Sequence, residues 1–151
     1  MDSLNRFRYR QAMFREWARV LKPGGRLVGT DPGVITGPVS NEELAQRSAI
    51  GFFLFVPAAL TEAWLAAVGR RLVCREDVTE NAAQVAGRWD AARQKHQAEL
   101  TQIEGAERFE ALQHLAWAAH TLTRERRLSH FAFLAEKPAR ATAQARINGG
   151  D

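Results

Sequence analysis

The stretch that decides the fold is residues 14–28, Phe-Arg-Glu-Trp-Ala-Arg-Val-Leu-Lys-Pro-Gly-Gly-Arg-Leu-Val. Apolar residues recur here at spacings of three and four, which predicts an amphipathic helix over residues 9–21. The Lys-Pro-Gly-Gly at 22–25 ends that helix, because proline cannot continue it and glycine readily adopts positive φ. The segment that begins at Arg26 and ends at Asp31 then predicts a short strand, which an Asp-Pro-Gly turn closes.

The rest of the chain alternates helical and strand patterns, which predicts an α/β fold. A Ser-Asn-Glu-Glu capping box at 40–43 marks the start of the second helix. The last 14 residues, 138–151, contain few large apolar residues, so we expect a disordered tail there. The predicted elements between them are helices at 41–55 and 57–68, a strand at 71–77, helices at 80–103 and 106–123, and a strand at 129–136.

Residues 14–28 resemble class I S-adenosylmethionine-dependent methyltransferases, in which a helix ending in Arg-Val-Leu-Lys-Pro-Gly-Gly leads into the fifth strand of a seven-stranded Rossmann-like sheet. Residues 60–77 resemble the next helix and the sixth strand, and residues 131–138 resemble the seventh. The resemblance implies a partial sheet of three strands, with the seventh between the fifth and sixth and antiparallel to both. It also implies that residues 1–137 are the C-terminal half of a methyltransferase domain, with a two-helix insertion at about 79–124 that is typical of small-molecule methyltransferases.

The family binds S-adenosylmethionine in its first half, through a glycine-rich turn after the first strand and an acidic residue after the second. Gly24 and Gly25 lie between a helix and a strand, which is the reverse order, and no Gly-x-Gly follows a predicted strand. The resemblance implies S-adenosylmethionine as the cofactor of full-length members of the family. For this chain we expect weak or no binding and name no cofactor-binding residue.

Two hypotheses for the function follow from this half-domain. The first is a truncated methyltransferase for a small organic molecule, inactive alone. The second is a non-enzymatic interaction module. In both, the strand from Arg26 to Asp31 has lost a neighbour and presents an open edge, which invites pairing with another chain. We therefore expect a homodimer or a complementing N-terminal half at this strand.

Four residues are candidates for substrate binding: Asp31, His96, Trp117 and His120. The first lies at the end of a predicted strand and the second within a predicted helix. Asp31 ends the first strand, where the resemblance places the border of the substrate pocket; it could instead cap the Asp-Pro-Gly turn. His96 lies within an apolar stripe of the long helix, where a buried imidazole could act as a base or simply be a core histidine.

The other two candidates, Trp117 and His120, lie on one flank of the last helix. Together with Phe109 and Gln113 they are spaced by four, four and three residues, which places them on one side of a helix. Such a flank could be an aromatic pocket wall with two polar groups, or it could pack against a neighbouring helix. The catalytic residues remain unassigned.

Composition excludes several other classes of protein. Eighteen of the 21 basic residues are arginine, but they are interleaved with 17 acidic residues, so nucleic-acid binding is not expected. The lone Cys74 cannot form an internal disulfide, and no His, Cys or acidic spacing suggests a metal site. The longest uncharged run, residues 48–61, is too short to span a membrane, and the arginine-rich start is unlike a signal peptide. We therefore expect a cytoplasmic protein.

Overall fold

The computed structural model describes residues 4–139. Residues 1–3 and 140–151 lie outside the described residues, so most of the predicted disordered tail cannot be compared with it and the domain bounds remain a prediction. In the described part the strands are β1 (Arg26–Ile35), β2 (Val56–Pro57), β3 (Arg71–Asp77) and β4 (Leu128–Glu136). The helices are α1 (Arg10–Val20), α2 (Asn41–Arg47), α3 (Leu60–Ala67), α4 (Thr79–Lys95), α5 (Gln97–Glu104) and α6 (Ala106–Arg124), and a 3₁₀ turn (Leu4–Arg6) precedes α1.

The four strands form one open sheet in the order β2-β1-β4-β3. Strand β4 is antiparallel to both β1 and β3, which confirms the predicted order of the three long strands. The two-residue strand β2, which the sequence analysis missed, pairs parallel with the end of β1. The sheet is therefore mixed and has one more strand than the three expected.

Strand β1 does not stop at Asp31, so the predicted turn is wrong. The strand continues to Ile35 through a register shift between Asp31 and Val34. Such a bulge tolerates Pro32, because the ladder hydrogen bonds are interrupted there. The last residues of β1 lie between β4 and β2, which gives them partners on both sides.

Helix α2 is also shorter than predicted, since it ends at Arg47 rather than near residue 55. Gly51 has a φ of +145°, which a helix cannot accommodate. The backbone N–H of Leu54 donates to the carbonyl of Asn5 at 2.7 Å, which ties the segment to the 3₁₀ turn. The predicted placement of Pro57 in a helix is wrong as well, because this residue belongs to β2.

The long helix predicted over 80–103 is two helices, because His96 separates α4 from α5 with φ −103° and ψ 24°. Helix α6 and α4 pack closely side by side, and the pair lies beyond the carboxyl ends of β1 and β3. A small core joins α6 to the sheet and to α2. It contains the buried residues Ala118, Leu122 and Leu128, with Ile35 and Leu44 packed against them.

Helices α1 and α3 cover one face of the sheet. Phe14 of α1 and Leu65 of α3 form a core with Ala135 of β4, and Leu27 of β1 packs against them. The opposite face carries the cross-strand row Val28, Leu134 and Cys74. Val28 is 73% exposed, so no described element covers this end of that face.

The outer edge of β1 is covered only in part. Strand β2 pairs with Val34 and Ile35, which lie beyond the predicted strand 26–31, and the Leu4 side chain packs over Gly29 on the α1 and α3 face rather than at the edge. Among the described residues, the structure shows no strand beside the edge at Arg26 and Val28. Pairing of the predicted edge, residues 26–31, with another chain therefore stays a prediction, because β2 lies beside residues beyond it.

Candidate functional site

A cleft of about 320 Å³ opens at the carboxyl ends of β1 and β3. Pro32 of β1, Val78 after β3 and His130 near the start of the antiparallel β4 form its floor, and α4 and α6 form its walls. Ligands of open α/β sheets collect at this edge, and the volume is within the range of small-molecule sites. The lining residues are Pro32, Arg47, Val78, Asn81, Ala82, Val85, Ala86, Trp89, Ala119, Thr123 and His130.

The lining combines an apolar wall with a few polar groups. Trp89 remains 40% exposed, and Val85 lies one helical turn before it on the same wall, also exposed. Arg47 is the one charged residue among those that line the cleft, and no carboxylate lines it. The cleft can thus offer an apolar surface, a positive charge and the hydrogen-bonding side chains of Asn81, Thr123 and His130 to a ligand.

The backbone of His130, in the floor of the cleft, is fixed by two hydrogen bonds. Its carbonyl accepts a hydrogen bond from the backbone N–H of Val78 at 3.0 Å, and its own N–H donates to the Thr79 hydroxyl at 3.0 Å. These bonds join the start of α4 to β4. His130 therefore lines the cleft from a part of the sheet whose backbone is hydrogen-bonded to the start of α4.

Asp31 directly precedes Pro32, which lines the cleft, but the side chain of Asp31 lies on the other face of the sheet. The two side chains of Arg10 and Asp31 form a bidentate ion pair that is 0% exposed, with Nη1–Oδ2 and Nη2–Oδ1 distances of 2.5 and 3.2 Å. The Thr61 hydroxyl donates to Oδ2 at 2.9 Å, and the Gly33 N–H donates to Oδ1 at 3.2 Å. Asp31 therefore connects α1 and α3 to β1 and does not line the cleft.

Arg10 completes this network with two backbone carbonyls. Its Nε donates to Leu4 at 2.8 Å and its Nη2 to Leu54 at 3.2 Å. The hydrogen bond from the Gly33 N–H to the Asp31 carboxylate is the contact expected if Asp31 caps the Asp-Pro-Gly segment, which was the alternative interpretation of this residue. The partnership of Arg10 with Asp31 was not predicted, because nothing in the local pattern connects the two positions.

His96 is not buried, so its predicted burial is wrong. Its side chain is 54% exposed at the break between α4 and α5, with Nδ1 3.5 Å from a carboxylate oxygen of Glu99. The apolar stripe that suggested burial assumed one continuous helix. The break changes the direction of the chain, and His96 is not among the residues that line the cleft.

The flank of α6 that carries His120 faces α4. The His120 ring lies 3.0 Å from the position of a Cβ on Gly87, and the Gln113 amide donates to the Asp90 carboxylate at 2.6 Å. Phe109 is buried, whereas Trp117 is exposed. These contacts match the helix-packing alternative, and neither His120 nor Trp117 is among the residues that line the cleft.

None of the residues that line the cleft was among the predicted site residues, and Arg47, Trp89 and His130 have the largest side chains of this set. Trp89 lies seven residues before His96 in the long predicted helix, in the same apolar stripe, which is typical of a core position. His130 alternates with Phe131 on β4, and that alternation was the available signal that its side chain faces away from the α1 and α3 layer. Arg47 gave no signal, because its place depends on where α2 ends.

Asp77 ends β3, and its carboxylate is already engaged. It accepts a hydrogen bond from the Thr79 N–H at 2.9 Å and pairs with Arg126 at 2.8 Å. The hydrogen bond from the Arg126 guanidinium, followed by that from the Thr79 hydroxyl, lowers the pKa of Asp77 from about 3.8 to about 2. Asp77 is therefore an ion-paired carboxylate at neutral pH.

Two acidic side chains near the carboxyl edge of the sheet already have partners within the chain. The carboxylates of Asp31, within β1, and Asp77, at the end of β3, are both bonded to an arginine and to a backbone N–H group. Across residues 4–139 there is also no group of three or more His, Cys, Asp or Glu side chains that could hold a metal ion. No helix in the same range is long and apolar enough to cross a membrane.

Comparison with solved structures places this fold among methyltransferases. A candidate sarcosine dimethylglycine methyltransferase from Galdieria sulphuraria matches 93% of this chain and 52% of its own, with 18% identity and a TM-score of 0.76. A cyclopropane synthase from Mycobacterium tuberculosis matches 85% of this chain and 50% of its own, with 20% identity and a TM-score of 0.75.

A third structure is a phosphoethanolamine N-methyltransferase from Haemonchus contortus, solved with phosphomonomethylethanolamine and S-adenosylhomocysteine. It matches 91% of this chain and 32% of its own, with 16% identity and a TM-score of 0.74. No protein-family model and no curated protein sequence matches the chain.

These likenesses establish the Rossmann-like methyltransferase fold and confirm that prediction. The chain spans about half the length of the first two structures, which is consistent with the C-terminal half that the Lys-Pro-Gly-Gly motif indicated.

Proposed function

We propose that this chain is the methyl-acceptor half of an S-adenosylmethionine-dependent methyltransferase for small organic molecules. The observation that carries the proposal is the cleft at the carboxyl ends of β1 and β3, on a sheet with the strand order of the methyltransferase fold. Its volume of about 320 Å³ suits a small molecule. The work assigned to this half is to hold and orient the acceptor, because methyl transfer depends mainly on alignment of the reacting groups.

The cofactor half is proposed to dock on the uncovered start of β1. Val28 is 73% exposed there, and the carboxylates Asp31 and Asp77 already have partners within the chain. A further strand beside Arg26 and Val28 would extend the sheet and bring a glycine-rich turn to the same carboxyl edge as the cleft. Alone, the chain is proposed to be a truncated and inactive methyltransferase.

Isothermal titration with S-adenosylmethionine tests this division of labour. The isolated chain is expected to show no dissociation constant tighter than roughly 10 µM, an ordinary value for a specific ligand. The same chain, expressed together with the reading frame directly upstream of Met1, is expected to bind the cofactor below that value and to methylate small molecules. Tight binding by the isolated chain would mean that the cofactor site has been misplaced.

The interaction-module hypothesis keeps a specific observation in its favour, the exposed start of β1. It predicts that the upstream sequence carries no strand followed by a glycine-rich turn, and that the purified chain forms a homodimer through residues 26–31. Under that hypothesis no assembly that contains the chain would bind the cofactor. A single exposed thiol, Cys74, suits a reducing compartment, so we place either function in the cytoplasm.

A further inference from the structure

A second concave surface, separate from the cleft, lies between the first turns of α1 and α3. This groove has a volume of about 500 Å³, which is within the range of small-molecule sites. It shares no lining residue with the cleft. The groove is therefore a candidate for a second ligand site.

Apolar side chains form one side of the groove. They come from residues 54–57, which include β2, and from Leu60 and Trp64 of α3. Pro57 is exposed, and Leu60 and Trp64 are half-buried, so part of this surface is in contact with water. An apolar group that packed against it would remove that surface from water, which favours binding.

The other side of the groove carries positive charge. Arg8, two residues before α1, and Arg15, in the middle of α1, both line the groove and are both exposed. Among the described residues, no carboxylate lines the groove or pairs with either guanidinium. Arg8 contacts the Phe52 ring, whose centre is 4.6 Å from the guanidinium carbon, and such a contact does not neutralise the charge. Arg10 also lines the groove, but its charge is compensated by the buried pair with Asp31.

The sequence around these two arginines keeps the charge uncompensated. Residues 4–15 contain four arginines and no acidic residue, and residues 44–61 contain no acidic residue either. The next acidic residue along α1, Glu16, pairs with Arg19 at 2.8 Å. A guanidinium forms strong charge-assisted hydrogen bonds with phosphate, and a phosphate monoester carries about 1.5–2 negative charges at neutral pH. Such a group matches two guanidinium groups at once.

We infer that this groove binds an amphipathic phosphate monoester, with the phosphate between Arg8 and Arg15 and the apolar body against the α3 side. The two sides of the groove differ in character, so a ligand that has only one of the two parts leaves the other side without a partner. The inference goes beyond the proposed function, because the groove lies outside the cleft assigned to the methyl acceptor.

Nuclear magnetic resonance on the full chain tests the inference without cofactor or turnover. The probes are octyl phosphate, inorganic phosphate, the neutral 1-octanol and the cation octylamine. Indole N–H signals report the position of binding, because Trp64 lines the groove and Trp89 lines the cleft. We expect octyl phosphate to shift the Trp64 signal and to bind at least about tenfold more tightly than each of the other three probes.

Matched substitutions on one helix assign that preference to the groove. Arg15→Gln is expected to weaken octyl phosphate binding at least about tenfold and to leave the affinity for 1-octanol unchanged. Arg19→Gln makes the same charge change one helical turn later and outside the groove, so it should have little effect. Arg8→Gln is a second variant with the result expected of Arg15→Gln. Equal effects of Arg15→Gln and Arg19→Gln would overturn the inference, as would equal affinity for octyl phosphate and 1-octanol, or a shift of Trp89 in place of Trp64.

Vesicles distinguish two sources of such a ligand, a lipid headgroup and a soluble phosphate monoester. Sedimentation with phosphatidylcholine vesicles that contain phosphatidic acid, weakened by Arg15→Gln but not by Arg19→Gln, would support the site and assign it to a lipid. Binding of octyl phosphate at Trp64 without sedimentation would support the site and assign it to a soluble molecule. Neither measurement involves methyl transfer, so both are independent of the proposed function.

Discussion

Replacing Asp31 with asparagine should destabilise the chain more than any exposed substitution. The side chains of Arg10 and Asp31 are both 0% exposed, so Asp31→Asn leaves the guanidinium without a counterion in a site that water does not reach. Removal of one partner from a buried ion pair costs about 3–5 kcal/mol. The loss is a large share of the roughly 5–15 kcal/mol that stabilises a typical domain.

The remaining contacts of Arg10 set the size of this effect. Its hydrogen bonds to the carbonyls of Leu4 and Leu54 persist, but carbonyl dipoles do not neutralise its charge. At about 2–4 °C per kcal/mol for a chain of this length, the melting temperature should fall by about 6–20 °C. Thermal unfolding followed by circular dichroism measures this fall.

The control is Asp77→Asn, the same chemical change in an exposed pair. The side chain of Asp77 is 38% exposed, so solvent screening limits its loss to about 1 kcal/mol or less. The double variant Arg10→Met/Asp31→Asn should lose less than the sum of the two single variants, since no unpaired charge remains. A melting temperature of Asp31→Asn that falls no further than that of Asp77→Asn would refute this reasoning.

Two further changes test the α4 end of the fold. Because the folded-state pKa of Asp77 is lowered to about 2, its contribution to stability is complete above about pH 4 and should disappear as the pH falls through 2. The difference in the free energy of unfolding between Asp77→Asn and the unsubstituted chain, measured with urea, should therefore shrink over that interval. Gly87→Val would place a Cβ 3.0 Å from the His120 ring and two methyl groups beyond it, so the ring must shift and the overpacking should cost roughly 1–3 kcal/mol in the same experiment. A neutral effect of Gly87→Val would mean that the two helices are not packed as described.

Local patterns predicted the elements that have strong local signals. The Lys-Pro-Gly-Gly motif gave the end of α1 and the start of β1, and Gly69, with φ +68°, ends α3 as expected. The motif also predicted the strand order, because it connected the chain with a known sheet topology. These features depend on residues that are neighbours in sequence.

The errors occur where distant contacts decide the structure. Residues 48–55 have the composition of a buried helix, but they form a turn that ends at Gly51, followed by an irregular segment that the hydrogen bond of Leu54 to Asn5 fixes. The buried pair of Arg10 with Asp31 joins positions 21 residues apart, and no periodicity shows it. The cleft was missed for the same reason, because its lining comes from five different parts of the chain.

The amide of Val28 tests most directly whether the chain is half of a sheet. The backbone N–H of Lys137 donates to the carbonyl of Gly25 at 2.8 Å. Because hydrogen-bonded pairs alternate along an antiparallel ladder, the N–H groups of Leu27 and Gly29 face β4, whereas that of Val28 faces outward. Hydrogen exchange on a sample that light scattering shows to be monomeric should therefore protect Leu27 and Gly29 strongly and leave Val28 nearly unprotected. A stable monomer in which Val28 exchanges as slowly as Leu27 would show that the chain covers its own edge, and would contradict the half-domain account.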